Sequence, residues 1–292
     1  KLSDLIQPGR GISAHVEKDF DFALHDLMGI VLNKPVYQTI GEKGVKITPI
    51  YSGMIYMDEL NEGSKGIETI LDNCQWDYDY GYRQLKVKIG RSGRWYPHDE
   101  GLDMDIKVVK TIYESFNDKG VEILVDGNDM YSLDDTKSFL EGITPIPVFW
   151  VEEPFMEERN KSIELRKWMN KNGYQDTFYA DGERLPDIPL CMDLLKKDIL
   201  DVYLIDIYGF GFTNWVDLMP KLIEMEAITS PHAWGNMLKT HYIAHLSAAF
   251  GNITTIEGVT CYSDDIDYGD YPVKNGMIRV SDDPGFGMKL LV

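Results

Sequence analysis

Residues 121–153 read VEILVDGNDMYSLDDTKSFLEGITPIPVFWVEE. The apolar runs at 121–126 and 148–152 are typical of buried parallel strands, and the segment 133–143 between them has the apolar spacing of a helix. Asp126 ends the first run and Glu152 ends the second. A charged group at the end of a buried strand costs free energy unless something neutralises it. The stretch therefore predicts a strand–helix–strand unit with a functional edge.

The same alternation continues along most of the chain. Strands are predicted at 45–52, 84–90, 121–126, 148–152, 177–183, 201–206, 227–231 and 253–257. Helices are predicted at 62–80, 103–119, 133–143, 162–171, 188–196, 214–226 and 238–250. Eight strands joined by such crossovers form either an open doubly wound sheet or a closed barrel. Polar residues follow nearly every strand, whereas an open sheet concentrates its site at one switch point, so the pattern favours a barrel.

Both ends of the chain depart from this alternation. Residues 20–32 have a strong apolar helical stripe, and Pro35 ends the predicted helix. The C-terminal residues 276–288 are typical of a short hairpin or strand. We expect both ends to pack outside the barrel.

Composition limits the function classes. A chain of 292 residues with 43% hydrophobic residues can bury a full core, and no apolar stretch is long enough to span a bilayer. The formal net charge of −19 disfavours nucleic acid and anionic membranes as partners. Three widely spaced cysteines and no leader-like opening segment predict a protein of the reducing cytoplasm.

Three carboxylates at successive strand ends suggest a metal site. Asp126, Glu152 and Glu183 would repel one another strongly unless a cation lay between them. Oxygen ligands without nearby cysteine or histidine favour one Mg²⁺, with Mn²⁺ as a substitute. Strand parity alone does not distinguish Glu152 from Glu153 as the inward-facing residue. Each carboxylate taken singly could instead be the N-cap of a helix.

Other polar residues suit acid–base chemistry on a substrate. Lys86 and Lys88 share one face of a strand, and a lysine in a desolvated site can serve as a base. The alternative is an exposed pair in salt bridges. Asn128 could complete the polar edge or simply form an Asx turn.

A second group of residues follows the later strands. Asp206 could orient His232, which would then move a proton through its other ring nitrogen, and Glu257 could donate a hydrogen bond. A structural role is the alternative for each. His241 and His245 lie four residues apart but lack the glutamate of HExxH, so we expect them to be structural.

Taken in order, these motifs resemble the enolase superfamily, and within it the mandelate racemase-like subgroup (the mandelate racemase/muconate lactonizing enzyme family). The resemblance rests on KVK at 86–88, VDGN at 125–128, WVEEP at 150–154, DGE at 181–183, ID at 205–206, SPH at 230–232 and IE at 256–257. The segments 23–29 and 283–288 resemble the family's flanking parts.

The resemblance implies a (β/α)7β barrel that holds Mg²⁺ on Asp126, Glu152 and Glu183. It further implies that Lys88 removes the proton α to a substrate carboxylate, which Lys86 helps to hold. Other implied roles are proton transfer by His232 with Asp206 and enediolate stabilisation by Glu257. The superfamily pairs a lysine or histidine base with Mg²⁺ in this way.

The family's α+β capping domain is represented only by its last part. We therefore expect residues 1–44 to be the end of that domain, 45–262 the barrel and 263–292 a segment that packs back on the cap. A shortened sequence is expected rather than an enzyme without a cap.

The expected reaction is dehydration of a sugar acid to a 2-keto-3-deoxy acid. The alternatives are a racemase or epimerase of a 2-hydroxy acid and a catalytically silent metal-binding barrel. Dipeptide epimerases and cycloisomerases of the family usually carry a second lysine on the sixth strand, where this chain has Asp206. An unrelated phosphate-binding barrel is disfavoured because no glycine-rich loop follows the last strands. We expect a small carboxylate substrate and a homo-oligomer.

Overall fold

The computed structural model describes residues 14–183 and 186–291, with side chains from residue 20 onward. The chain divides into two compact units: a sheet unit, Tyr51–Tyr203, and a terminal unit made of the chain up to Ile50 and from Leu204 on. No helix in these described ranges is long and apolar enough to cross a bilayer.

The sheet unit alternates strands and helices. Its elements are the end of β1 (Ile47–Ile55), α3 (Ile67–Tyr80), β2 (Gln84–Lys88), α4 (His98–Phe116), β3 (Glu122–Asp126), α5 (Leu133–Ile143), β4 (Trp150–Glu152), α6 (Arg159–Lys171), β5 (Phe178–Asp181), α7 (Ile188–Leu195) and β6 (Val202–Tyr203). Each of these strands pairs in parallel with the next one along the chain. The strand ends that carry the predicted ligands therefore share one edge of the sheet.

Local sequence explains why the elements begin where they do. Ser132 caps α5 in a reciprocal capping box with Asp135. The buried residues Phe139, Leu140 and Ile143 follow at helical spacing, so α5 covers the sheet with its apolar face. All five residues of β2 are buried, which is typical of a parallel strand covered on both faces.

The terminal unit joins both ends of the chain. It contains α1 (Ala14–Leu32), α2 (Val36–Ile40), the start of β1, α8 (Ile207–Phe210), α9 (Phe212–Glu224), β7 (Ile228–Thr229), α10 (Met237–Phe250), β8 (Ile256–Gly258), β9 (Ile266–Asp267), β10 (Val273–Lys274), β11 (Met277–Arg279) and β12 (Lys289–Leu290). β11 pairs antiparallel with β10 and with the first residues of β1.

The C-terminal segment packs tightly on α1. Phe286 donates its backbone N–H to Asp26 Oδ1 at 2.7 Å, and Gly285 donates to the carbonyl of Lys34 at 3.0 Å. A Cβ atom at Gly29 would lie only 2.7 Å from the Cα of Gly285, so this approach requires glycine.

The predicted elements are largely confirmed, and the differences have local causes. The sixth strand ends at Tyr203 rather than at 206, because the side chain of Asp206 caps the short helix α8 through the N–H of Gly209 at 2.5 Å. The parallel sheet with covering helices is confirmed. Closure into one barrel stays a prediction, since β7 and β8 belong to the terminal unit. The three domains and their two boundaries also stay predictions.

Candidate active site

Strand register aligns the first cluster of predicted site residues in the sheet unit. Lys88, the last residue of β2, pairs in register with Asp126 of β3, which in turn pairs with Glu152 of β4. Glu183 follows two residues after the end of β5. Side chains at equivalent positions of adjacent parallel strands point the same way. The alternation of the strands thus gathers these groups at one edge.

The three carboxylates are close enough to share one cation. Asp126, Glu152 and Glu183 each offer an oxygen, and these oxygens lie within 4.8 Å of one another. Asp126 is 0% exposed and Glu152 is 1% exposed. Among the residues that the structure describes, Glu152 Oε2 has no hydrogen-bond partner. A buried carboxylate oxygen without a donor in an all-oxygen set suits a hard divalent cation such as Mg²⁺.

Two ammonium groups lie against the carboxylates. Lys86 Nζ is 2.9 Å from Glu152 Oε1 and 3.2 Å from Asp126 Oδ2. Lys88 donates to Asp126 Oδ2 and, at 2.8 Å, to Asn128 Oδ1. The predicted alternative of an exposed lysine pair is wrong, because both side chains are buried. Asn128 also donates its backbone N–H to Asp126 Oδ1 at 3.0 Å, which is the predicted Asx turn.

Burial and charge have opposite effects on the pKa values of these groups. Burial opposes the charged form of Asp126, yet Lys88 and Lys86 lower its pKa below the usual range. Burial and the neighbouring Asp126 raise the pKa of Glu152 well above its usual value. Burial opposes the charged form of Lys88 as well, but Asp126, Glu152 and Tyr56 together outweigh it, and the pKa of the amine is raised. Three carboxylates thus face two lysines, and the fully ionised cluster would carry a net negative charge.

Backbone geometry resolves the parity of Glu152 and Glu153. β4 ends at Glu152, and Glu153 adopts a left-handed backbone with φ 38°. Its side chain turns to accept the N–H of Glu183 at 2.8 Å. Burial and then Glu183 raise the pKa of Glu153 to about 10. Glu153 thus orients the loop that carries Glu183, whereas Glu152 belongs to the carboxylate group.

The terminal unit brings together the second predicted group. His232 Nδ1 lies 2.9 Å from Asp206 Oδ2, and its Nε2 lies 3.7 Å from Glu257 Oε2. Glu257 is fully buried and accepts the N–H of Ala233 at 2.6 Å. Because an ionised Asp206 can only accept hydrogen bonds, His232 carries its proton on Nδ1. The other ring nitrogen, Nε2, is therefore the one that faces away from Asp206.

Lys239 is a member of this group that the sequence did not reveal. Its Nζ lies 2.7 Å from the same Asp206 oxygen that His232 contacts and 3.0 Å from the carbonyl of Trp234. Burial opposes the charge on Asp206, but His232 and Lys239 lower its pKa to about 2. Lys239 lies in the first turn of α10, far from Asp206 in sequence. Its position gave no signal of this contact.

His241 and His245 occupy structural positions. The ring of His241 stacks on Tyr271 at 3.8 Å between centroids. His245 Nδ1 accepts the N–H of Tyr37 at 3.1 Å, and Nε2 lies 2.7 Å from the hydroxyl of Tyr271. Burial lowers the pKa of each histidine to about 3. Both rings are therefore neutral core groups at neutral pH.

The chain is similar to several enzymes of known activity. A galacturonate dehydratase from Geobacillus sp. has been solved with D-galacturonate and 5-keto-4-deoxy-D-galacturonate; it is 30% identical, with a TM-score of 0.89, over 99% of this chain and 77% of that one. A substituted form of that enzyme was solved with Mg. Arabinonate dehydratase of Saccharolobus solfataricus is 24% identical over 95% of this chain and 70% of its own length.

A third relative carries out a different reaction. The hydrophobic dipeptide epimerase of Enterococcus faecalis is 26% identical over 87% of this chain and 66% of its own length. The relatives of this chain thus include both dehydratases and an epimerase. Residues 70–291 also match the family described as enolase C-terminal domain-like. The chain therefore belongs to this family, among the mandelate racemase/muconate lactonizing enzyme-like members of the enolase superfamily.

Proposed function

We propose that this protein is a Mg²⁺-dependent lyase that removes the proton α to the carboxylate of a sugar acid and eliminates the β-hydroxyl. The product would be a 2-keto-3-deoxy acid. The observation that carries this proposal is the group of Asp126, Glu152 and Glu183, the first two of them buried, beside the buried Lys86 and Lys88. Carboxylates that could hold a cation lie next to a buried amine that could act as a base.

Asp126, Glu152 and Glu183 would hold the cation. When bound, a divalent cation supplies concentrated positive charge that stabilises the oxyanion formed as the α-proton leaves. The carboxylates would then share their charge with the cation instead of with the lysines. That change would weaken the contact that now raises the pKa of Lys88 and would favour its neutral amine.

Lys88 would remove the α-proton, and the electron pair of the broken C–H bond would pass into an enediolate. Lys86, buried between Asp126 and Glu152, would help to hold the substrate carboxylate. Asn128 accepts a hydrogen bond from Lys88 and would orient the amine toward the substrate. Glu257 would stabilise the enediolate by a hydrogen bond.

The second proton transfer would belong to His232. Asp206 accepts from Nδ1–H, so the imidazolium form of His232 would deliver its second proton, from Nε2, to the departing β-hydroxyl. The C–O bond breaks, water leaves, and the resulting enol tautomerises to the keto acid. The proton taken by Lys88 returns to solvent and His232 regains one from solvent, so the net reaction is loss of one water.

Racemisation or epimerisation is the second candidate. The same His232–Asp206 pair could return a proton to carbon, and one relative is an epimerase. Two observations favour dehydration: dehydratases are prominent among the relatives, and Asp206 stands where family epimerases usually carry a lysine. A silent metal-binding barrel is disfavoured because both acid–base groups are intact.

We further propose the setting in which the enzyme works. It would use one Mg²⁺, with Mn²⁺ as a substitute, and would act on a small carboxylate substrate in the cytoplasm. We propose a homo-oligomer that binds neither nucleic acid nor membranes, consistent with the net charge of −19.

A substrate screen tests the proposed reaction. Sugar acids with one and with two carboxylates would be incubated with the protein and Mg²⁺, and release of 2-keto acid would be measured. The expected result is keto acid from at least one acid, abolished by EDTA. Interconversion of epimers without formation of keto acid would contradict the dehydratase proposal and support the racemase or epimerase.

A further inference from the structure

A cavity of about 510 Å³ in the sheet unit includes the proposed base in its wall. This volume suits a small-molecule ligand, because ligand pockets measure about 300–1,000 Å³. Lys88 and Asn128 contribute to the lining from the ends of β2 and β3. Asp58, Asn61, Arg94 and Trp95 also line the cavity, from segments that follow β1 and β2.

Hydrogen bonds to Arg91 hold the loop that carries Arg94 and Trp95 in place. Arg91, which is fully buried, receives the backbone N–H of Trp95 and of Tyr96 on its carbonyl, each at 3.2 Å. Its guanidinium donates to the carbonyl of Lys88 at 3.0 Å. The loop is thereby tied directly to the end of the strand that presents the proposed base.

Arg91 also connects this loop to a second segment of the cavity lining, which includes Asp58 and Asn61. Its Nε and Nη2 bind the two oxygens of Glu59 at 2.5 and 3.1 Å, in the 3-10 helix Asp58–Leu60. Its Nη1 binds Asp105 Oδ1 at 2.6 Å. A bidentate, buried arginine–carboxylate pair is rigid. Arg91 therefore holds both segments of the cavity lining in place.

The charges in the lining leave Arg94 available to an anion. Its guanidinium lies 4.6 Å from the ring centroid of Trp95, and it makes no ion pair within residues 20–183 and 186–291. Asp58, the acid in the lining, accepts instead from Asn61 at 3.0 Å and from Asn73 at 2.7 Å. An exposed cation on an aromatic ring, in a protein of net charge −19, suits a carboxylate.

We propose that Arg94 and Trp95 form a subsite for the far end of the substrate, and that the substrate is a polyhydroxylated dicarboxylate. One carboxylate is held beside Lys86 and the carboxylate group, and Arg94 binds the other through its planar fork. Trp95 packs on the C–H face of the carbon chain, and the amide of Asn61 meets a hydroxyl. This inference rests on the proposed function.

The test compares acids that differ only at the far carbon. D-Glucarate and D-gluconate form such a pair, as do galactarate and galactonate, since a carboxylate replaces a CH₂OH group. Binding of each acid is measured by calorimetry with Mg²⁺ present, and keto-acid formation is measured separately. The variants are Arg94→Met and Arg94→Lys, with Arg159→Met as the matched control. Arg159 is an exposed arginine paired with Asp193, outside the cavity lining.

The inference predicts tighter binding of the dicarboxylate in at least one pair. Arg94→Met should weaken that binding about tenfold or more, as expected for a charge-assisted contact, and leave the monocarboxylate unchanged. Arg94→Lys should recover part of the loss, and Arg159→Met should have no effect. Equal affinities within every pair, or an equal loss for both acids in Arg94→Met, would overturn it. Absence of keto acid with selective binding intact would refute the proposed reaction instead.

Discussion

Replacing Glu152 by glutamine gives the sharpest test of the metal site. Glu152 Oε2 is a buried oxygen without a donor in the described part of the chain, and Oε1 binds Lys86 at 2.9 Å. The substitution keeps the shape of the side chain and replaces one of the three carboxylates by an amide. Glutamine is a weaker ligand for a hard cation than a carboxylate. We expect Glu152→Gln to lose the response to Mg²⁺.

The magnitude follows from mass action. At a Mg²⁺ concentration of about 100 times the wild-type Kd, binding stabilises the folded state by about 2.7 kcal/mol. For a chain of 292 residues, that corresponds to a rise in Tm of about 4 °C. Loss of an outer-shell partner already costs about 10–100-fold in affinity, so loss of a ligand should cost at least about 100-fold. The variant would then gain only about 0.4 kcal/mol, or about 1 °C.

The assay is thermal unfolding with EDTA and with Mg²⁺. The difference in Tm between the two conditions cancels any effect of the substitution on the metal-free protein. Glu153→Gln is the matched control, because it makes the same chemical change one residue away. The introduced glutamine could still accept the N–H of Glu183 through its amide oxygen, as Glu153 does, so this variant should keep the full Mg²⁺ shift.

Two outcomes would refute the reasoning. A Mg²⁺-induced shift in Glu152→Gln equal to that of the wild type would mean that Glu152 is not a ligand. Loss of the shift in Glu153→Gln with retention in Glu152→Gln would exchange the two assignments.

Lys88→Ala should abolish exchange of the substrate α-proton in D₂O, measured by NMR; undiminished exchange would assign the base elsewhere. His232→Asn should block keto-acid formation while exchange by Lys88 continues, and loss of both would contradict this division of labour. Lys239→Met should lower kcat more than it changes KM, because Lys239 orients Asp206. Lys239→Arg should recover part of kcat, and an unchanged kcat in Lys239→Met would exclude the positioning role. His245, with a pKa lowered to about 3, binds a proton less readily in the folded state than in the unfolded state. The contribution of the neutral His245 ring to the free energy of unfolding is complete above about pH 6.5, and it falls by about 1.4 kcal/mol per pH unit toward pH 3. Between pH 6.5 and pH 5, the free energy of unfolding of His245→Gln, measured with urea, should therefore fall by about 2 kcal/mol less than that of the wild type. An equal fall in both proteins would show that protonation of His245 does not destabilise the fold.

Much of the candidate site was predictable from sequence because parallel strands impose simple rules. Apolar runs with a polar last residue identified the strands, and parallel pairing brings their carboxyl ends to one edge. Asp126 and Lys88 were therefore predictable as neighbours, and the register pairs them directly. The helix at 133–143 was predictable for a similar reason, since its capping box and apolar spacing are local.

Tertiary structure decided what local patterns could not. Whether Glu152 or Glu153 faced the cluster depended on where β4 ended, and the left-handed backbone at Glu153 set that point. The contact of Lys239 with Asp206 joins residues 33 positions apart, and the Arg91–Glu59 pair spans 32 positions. Side-chain pairing across such separations depends on how elements pack, which periodicity does not encode. The sequence by itself thus determined the strand-end chemistry, because it follows from period and order, and only the folded chain decided which charges meet.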